Sequence, residues 1–320
     1  MKLSKLFAII SAITVMLCFS VSVSADIGPK PSIHIEFLNM PEGECFGTLL
    51  SKNDTTGPSS VWDGNKEHAQ HNENEYYNYS WAAFDYATWL KFVEYDDPDG
   101  FYFLQEGWNI AESDGIHWTY YPPQEFKILL YFPETGEFIT SGIYERYAFD
   151  SYFTVDMSTV GLIAPENAVI LDHVNPDTGD YGISADKLLL ADRSYDYSSE
   201  IIGLIVRVIL TVLIELAVAL PFMLLKKKYL KVLAFTNIVT QLLLNLFLNI
   251  SAYFMGGMGA MAVYILLEIA VFSIEAAIYT HSFKRYGKHK GIYYVAYALV
   301  ANGTSFFLGV WLASLLPELF

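Results

Sequence analysis

Four stretches of the chain consist almost wholly of apolar residues, and they occupy its last third. They cover residues 201–225, 230–250, 259–283 and 292–316. A helix needs about 20 apolar residues to cross a hydrocarbon core about 30 Å thick. The pattern therefore predicts four transmembrane helices, which form a membrane domain of residues 201–316.

The short connections between these stretches differ in charge, which predicts their side of the membrane. Lys226, Lys227, Lys228 and Lys231 crowd the first connection, and four basic residues between positions 284 and 290 crowd the third. The second connection, residues 251–258, carries no charge. Because cytoplasmic connections are enriched in Lys and Arg, we expect the first and third to be cytoplasmic. The N-terminal region and the C-terminus are then both outside the cell.

Polar side chains recur at helical spacing within the four stretches. On the second stretch four amides are each four residues apart, so they share one helix face; they are Asn237, Gln241, Asn245 and Asn249. A charged side chain at the bilayer centre costs about 2.5 to 3.5 kcal/mol, so we expect the polar faces to turn toward one another. The sequence thus predicts a four-helix bundle with a polar core. Its members, which we call the polar cluster, are Glu215, Asn237, Gln241, Asn245, Glu268, Glu275 and Asn302.

Three interpretations of the polar cluster remain open at this point. The amides and carboxyl groups are hydrogen-bonded contacts between helices, or they bind a proton or cation, or they belong to an intramembrane hydrolase. The amides fit contacts between helices well, whereas three Glu residues without an intramembrane Lys are more typical of a proton or cation site. The stretches contain no adjacent Glu pair and no mid-membrane His, so no catalytic residue is assigned and an enzyme is disfavoured.

The first 25 residues have the pattern of a secretory signal peptide. Lys2 and Lys5 precede an apolar run from Leu6 to Val21, and small residues follow at Val23-Ser-Ala25. Such a pattern predicts cleavage after Ala25 and export of the region that follows. We therefore expect residues 26–200 to form a domain outside the cell membrane.

Within this exported domain, alternating apolar and polar positions predict strands. Ile33, Ile35 and Phe37 alternate with polar residues, and a hairpin is predicted from residues 126–132 and 138–141 around the turn at Pro133-Glu-Thr-Gly136. Further strands are expected at residues 45–50 and 151–156, with one amphipathic helix within residues 80–95. The domain is therefore predicted to be all-β or α+β, in the form of an antiparallel β-sandwich.

Charge and cysteine content narrow the classes of function. Residues 26–200 contain 31 Asp and Glu against 8 Lys and Arg, a formal balance of −23. Such a surface repels nucleic acid and favours cations or basic peptides. After the predicted cleavage Cys45 is the one remaining cysteine, so we expect no disulfide within the chain and a buried Cys45.

Two groups of residues in the exported domain are weak candidates for a metal site. His68 and His71 are three residues apart in a polar segment, and Asn175, Asp177 and Asp186 partly match the spacing of a calcium loop. The calcium pattern fails at Gly179 and Asp180, and the His pair lies in a segment typical of a solvated loop. No metal or cofactor is therefore predicted.

Several motifs resemble one family. They are Asp26-Ile-Gly-Pro-Lys-Pro-Ser32, Thr48-Leu-Leu-Ser51, Asp99-Gly-Phe-Tyr-Phe103, Tyr121-Pro-Pro-Gln-Glu-Phe-Lys-Ile-Leu-Leu-Tyr-Phe-Pro133 and Tyr144-Glu-Arg-Tyr-Ala-Phe-Asp150. The chain resembles an uncharacterised family of Gram-positive bacterial membrane proteins with a signal peptide, an exported β-rich domain and C-terminal transmembrane helices. The resemblance implies this layout and brings no catalytic residues.

These patterns together predict an integral, multi-pass cell-membrane protein. Its expected role is to bind or sense an extracellular protein, peptide or cell-wall ligand, with the helices embedded in the lipid bilayer and able to form a homo-oligomer. The alternatives are proton- or cation-linked transport through the polar cluster and intramembrane hydrolysis.

Overall fold

The computed structural model describes residues 30–52, 85–160, 188–284 and 289–315. These residues fall into two compact units, Lys30–Tyr195 and a second that begins at Asp196. The predicted signal peptide, His68, His71, Asn175, Asp177 and Asp186 lie outside the described residues.

The first unit is rich in β-strands. Its strands, in chain order, are β1 (Ser32–Leu38), β2 (Phe46–Ser51), β3 (Tyr102–Phe103), β4 (Trp108–Asn109), β5 (Ile116–Trp118), β6 (Glu125–Phe132), β7 (Glu137–Ser141), β8 (Tyr144–Glu145), β9 (Asp150–Asp156), β10 (Leu188–Leu189) and β11 (Ala191–Arg193). Within the described ranges of this unit, the α-helices are α1 (Tyr86–Glu94) and α2 (Ile110–Ser113), and a 3-10 turn covers Met157–Thr159. Each strand predicted from the apolar pattern is present to within one residue.

The strands form two mixed sheets. One sheet has the order β11-β9-β1-β5, and the other has the order β10-β7-β6-β2-β3, with β4 added to β2 and β8 added to β6. The predicted β6–β7 hairpin is present and antiparallel. The prediction of purely antiparallel pairing is wrong, because β1 runs parallel to β9 and β10 runs parallel to β7. Strands this far apart in sequence are joined by long connections, which allow either direction.

The larger sheet is covered on both faces. Leu49 of β2 and Ile128 of β6 belong to a buried cluster that also contains Ile33 and Phe153 of the smaller sheet. The neighbouring residues Leu50 and Leu129 point the other way, into a second cluster with α1. Because both faces are covered, every residue of β2 is buried and its sequence shows little alternation.

Helix α1 begins after Asp85, which is its N-cap residue. The Asp85 carboxylate accepts a hydrogen bond from the backbone N–H of Thr88 at 2.7 Å, as N-cap residues do. Trp89 and Phe92 of this helix are buried against the larger sheet. The predicted amphipathic helix is therefore present, with its end at Glu94 before the Asp96-Asp97-Pro98 turn.

The second unit consists of long apolar helices. They are α3 (Tyr197–Val218), α4 (Lys227–Lys284) and α5 (Gly291–Leu315). Among the described residues, these three helices are long and apolar enough to cross a membrane. Helix α3 begins earlier than predicted because Asp196 accepts hydrogen bonds from the N–H groups of Ser198 and Ser199. It also ends earlier, since Pro221 has no N–H to continue the helix.

Helix α4 contains 58 residues and is interrupted once, at Gly256. Gly256 has φ 72° and ψ 174°, a combination that only glycine adopts readily. Residues 251–258, predicted as a connection between two helices, are therefore helical except at Gly256. Tyr229 and Phe283, near the two ends of α4, have ring centroids 4.6 Å apart. The helix therefore folds back on itself, and we call residues 227–255 its first arm and residues 257–284 its second arm.

Candidate functional site

The polar residues predicted to face one another in the helical unit are mostly buried. Glu215 of α3, Asn237 of the first arm and Glu275 of the second arm are each fully buried, and Asn302 of α5 is 5 % exposed. Gln241 and Asn245 are buried as well, whereas Glu268 is half-buried. The large apolar side chains on the opposite sides of these helices, such as Phe235, are exposed. Polar groups therefore face inward and apolar groups face outward, the reverse of a water-soluble bundle.

The Glu275 carboxyl group joins three helical segments. Thr240 of the first arm donates its hydroxyl hydrogen to Glu275 Oε1 at 2.6 Å. Asn302 of α5 donates from Nδ2 to Glu275 Oε2 at 2.7 Å. The second hydrogen on the same Nδ2 is donated to the Ala298 carbonyl at 3.0 Å. Both Glu275 oxygens therefore have donors, and the group fixes the two arms and α5 in register.

Glu215 and Asn237 differ from Glu275 in their hydrogen bonding. The two side chains interact with each other, and the Glu215 carboxyl also interacts electrostatically with Glu275. Among the described residues, neither Glu215 oxygen nor either polar atom of the Asn237 amide meets the geometry of a hydrogen bond. The contact between Glu215 and Asn237 falls short of hydrogen-bond geometry, so both side chains keep capacity to bind a further partner. The two carboxyl oxygens of Glu215 and the amide oxygen of Asn237 are of the type that binds a proton or a small cation.

A cavity of about 870 Å³ lies beside the polar cluster, between the helices of this unit. Gln241, Asn245 and Glu268 line it, while Glu215, Asn237, Glu275 and Asn302 lie outside the lining. The other lining residues include Ser199 at the start of α3, Ala252 and Gly257 on either side of the α4 turn, and Leu312 near the end of α5. By the predicted topology these positions are on the outer side of the membrane.

The cavity has apolar walls and a short series of polar groups. Leu244, Met261 and Phe306 are among its apolar lining residues. Arg207 of α3 donates from Nη2 to Asn249 Oδ1 at 3.3 Å, and both residues line the cavity. The lining thus offers one guanidinium group, that of Arg207, and two carboxyl groups, those of Glu200 and Glu268, within a mostly apolar wall.

Three polar residues of this region were not assigned to the site from the sequence. Tyr264 lines the cavity one turn before Glu268 and interacts with that carboxyl group. Ser305 lines the cavity one turn after Asn302. Tyr297 donates its hydroxyl hydrogen to the Glu215 backbone carbonyl at 3.0 Å. The spacing of Tyr264 and Ser305 from predicted members was a usable signal, because residues three or four apart share a helix face.

The described part of the β-rich unit offers little metal-binding chemistry. No group of three His, Cys, Asp or Glu residues within the described ranges could hold a metal ion. Cys45 is free and 2 % exposed, as predicted, and burial raises the pKa of its thiol to about 12. Trp89 and Trp118 are fully buried, so their rings belong to the core and offer no stacking surface.

Comparison with protein-family models, with curated proteins and with solved structures found no match for this chain. The resemblance drawn from the sequence motifs therefore stays a prediction.

Proposed function

We propose that this chain is an integral cell-membrane protein that binds a ligand from the outer aqueous side, in the cavity between its helices. The observation that carries the proposal is the cavity of about 870 Å³ with Arg207 and Glu268 in an apolar lining. Small-molecule sites commonly have about 300 to 1,000 Å³ and a few polar groups among apolar walls. The exported acidic domain then recognises a further partner, such as a basic peptide or a cell-wall ligand.

The proposed topology has four membrane crossings. At 1.5 Å per residue, a continuous helix of the length of α4 would extend about 87 Å, roughly three times the hydrocarbon thickness. Two contacting arms of 29 and 28 residues fit that thickness with modest tilt. Each arm crosses once, and α3 and α5 add one crossing each. The polar cluster then lies in the inner half of the membrane, and the cavity opens outward.

The lining chemistry indicates the kind of ligand that fits. The Arg207 guanidinium binds an anionic group such as a carboxylate or phosphate, and the Glu268 carboxyl group binds a cation or a hydrogen-bond donor. The apolar walls take a hydrocarbon body. A small zwitterionic amphiphile meets all three requirements.

Cysteine labelling in right-side-out membrane vesicles tests whether the cavity is open to water. Ser305 lines the cavity, and its neighbour Thr304, at the same depth, does not. A charged, membrane-impermeant thiol reagent should modify the full-length Ser305→Cys variant and leave the Thr304→Cys control unmodified. Buried Cys45 gives little background. Equal labelling of the two variants, or none of either, would rule out an open cavity.

Protection from labelling tests binding. Dodecylphosphocholine should slow modification of Ser305→Cys at a lower concentration than a nonionic dodecyl maltoside, which has the same chain length and no charges. The added substitution Arg207→Gln should remove the difference between the two amphiphiles. Equal protection by both in the presence of Arg207 would contradict a site for a zwitterion.

A second candidate function is proton- or cation-linked transport, and the observation that favours it is the pair Glu215 and Asn237. Their buried polar atoms have no hydrogen bond of acceptable geometry among the described residues. The thermal stability of the full chain should therefore change between sodium and choline chloride, or between about pH 5 and about pH 8. Glu215→Gln should abolish that response, whereas Glu200→Gln at the cavity rim should keep it. Flat profiles in all three proteins would leave the cluster as contacts between helices.

A further inference from the structure

Lys127 occupies an unusual place for a lysine. It lies within β6, where every residue except the two at the ends is buried, and its side chain is 4 % exposed. Its neighbours at alternate positions, Leu129 and Tyr131, belong to the buried cluster under α1. Removing an ammonium group from water costs several kcal/mol, and apolar residues of similar size are often as stable as a buried ion pair. Stability alone therefore does not explain a lysine here.

The ammonium nitrogen of Lys127 is held against two carboxyl groups. Nζ lies 3.0 and 2.9 Å from Oδ1 and Oδ2 of Asp97, whose side chain is fully buried. It also lies 2.5 Å from Oδ2 of Asp99, whose side chain is 54 % exposed. The Phe101 ring centroid is 5.4 Å from Nζ. An amine, a carboxyl group and a second, water-accessible carboxyl group thus meet in one small space.

Backbone donors surround the buried carboxyl group as well. Asp97 Oδ1 accepts hydrogen bonds from the backbone N–H groups of Asp99 at 3.0 Å and Phe101 at 3.3 Å. Two N–H groups aimed at one oxygen are the arrangement that stabilises negative charge on a tetrahedral intermediate of acyl transfer. Asp97 is therefore placed both to receive a nucleophile and to hold the resulting oxyanion.

We propose that Lys127 and Asp97 condense to an amide, which cross-links β6 to the segment that follows α1. Asp99 takes a proton from the Lys127 ammonium, and the freed lone pair of Nζ forms a bond to Cγ of Asp97. The bond from Cγ to Oδ2 then breaks, and Oδ2 leaves as water with the proton returned by Asp99 and a second proton from Nζ. An ammonium and a carboxylate become an amide and one water, so atoms and charge balance without an oxidant or co-reactant.

Proximity and exclusion of water favour this reaction. Groups held in contact react with effective concentrations of about 10⁵ to 10⁸ M, which compensates for the weak reactivity of a carboxyl group. Burial of both partners keeps out the water that would reverse the reaction. The exposed side of Asp99 gives the released water a path to solvent.

The cross-link has a clear use in this unit. Cys45 is the one cysteine after the predicted signal peptide, so an exported domain without disulfides would gain a covalent tie between residues 30 apart in sequence. A cross-link stabilises a fold mainly by restricting its unfolded chain, as a disulfide does. The proposal does not depend on what the cavity binds.

Mass spectrometry of the full-length protein purified from membranes tests the proposal. Protease digestion should yield a branched peptide that contains residues 97 and 127, with the summed mass of its two parts less one water. Lys127→Arg, which keeps the charge, should give no branched peptide. Asp99→Asn keeps both reacting groups and removes the proton acceptor, so the fraction joined should fall at least tenfold.

Recovery of Asp97 and Lys127 of the wild-type protein only in separate peptides would overturn the proposal, whether or not the variants fold. An undiminished branched peptide in Asp99→Asn would overturn the role given to Asp99. Because the wild-type digest decides the main point, a structural defect in a variant cannot mimic the expected result.

Discussion

Burial controls the chemistry of individual residues in the β-rich unit, and Cys45 is the clearest example. Its side chain packs in the cluster between the sheets, where loss of hydration raises the pKa of the thiol to about 12. Since the thiolate is the reactive form, native protein at about pH 8 should resist iodoacetamide. Unfolding in guanidinium should expose Cys45 to complete alkylation, measured by mass spectrometry. Fast reaction of the native protein would contradict the packing.

His34 gives a second prediction at the residue scale. Its Nδ1 lies 3.1 Å from Nδ1 of His117, and its ring stacks on Tyr152. Burial and then the charge of His117 lower the pKa of His34, while Asp150 partly opposes this. The unfolded chain therefore binds a proton more readily than the folded chain. The stability held by neutral His34 is present above the ordinary histidine pKa of about 6.5 and is lost as the pH falls through the lowered value.

Urea denaturation of the full chain and of His34→Gln at about pH 7.5 and about pH 5.5 measures this effect. The wild type should lose more of its free energy of unfolding than the variant over that interval, because titration of the carboxylates is common to both. Parallel losses in the two proteins would show that His34 titrates alike in both states.

At the scale of elements, two glycines with positive φ, Gly100 and Gly115, allow the chain to turn between elements of the β-rich unit. Gly115 precedes β5 with φ +124°, and a Cβ there would lie 2.2 Å from the Ile35 carbonyl oxygen of β1. Gly100 also has a positive φ, yet a Cβ there would meet nothing within 4 Å. Gly100→Ala should cost about 1 to 2 kcal/mol, the conformational term alone. Gly115→Ala should cost about 3 kcal/mol or more, because β1 must move away from β5. Equal losses in denaturant titrations would mean that the close approach is unimportant.

Gly256 provides the corresponding test in α4. Its φ of 72° and ψ of 174° lie in a region that alanine avoids, whereas a Cβ on the adjacent Gly257 would meet nothing within 4 Å. Gly256→Ala should lower the melting temperature of the detergent-solubilised protein, and Gly257→Ala should leave it nearly unchanged. A normal melting temperature for Gly256→Ala would show that the fold-back does not need this glycine.

The elements also show what an apolar pattern can and cannot predict. Alternation located β1 and β9 because one face of each is buried, but it carries no information about which strand pairs with which, so their parallel pairing was missed. The apolar run begins at residue 201, whereas α3 begins at Tyr197 because Asp196 is its N-cap. The apolar runs located both arms of α4. The position of the turn at Gly256 could not be predicted from them, because a single glycine produces no repeating pattern.

At the scale of the whole molecule, sequence and structure contribute different parts of the candidate site. Helical spacing identified the residues that face inward, since polar side chains avoid hydrocarbon. The size of the cavity depends on how side chains from three helices pack together. The sequence of any one helix therefore does not predict it. The contact of Lys127 with Asp97 joins positions 30 apart in sequence, and no local pattern relates the two.

The central claim is that the chain crosses the membrane four times, with the turn of α4 outside and the Lys-rich connection before it inside. Cysteine labelling of the full-length protein in intact cells tests it most directly, with buried Cys45 as a silent background. A membrane-impermeant thiol reagent should modify Gly257→Cys in intact cells and Lys227→Cys only after the membrane is permeabilised. Modification of both positions from the same side would contradict the four crossings and the outward opening of the cavity.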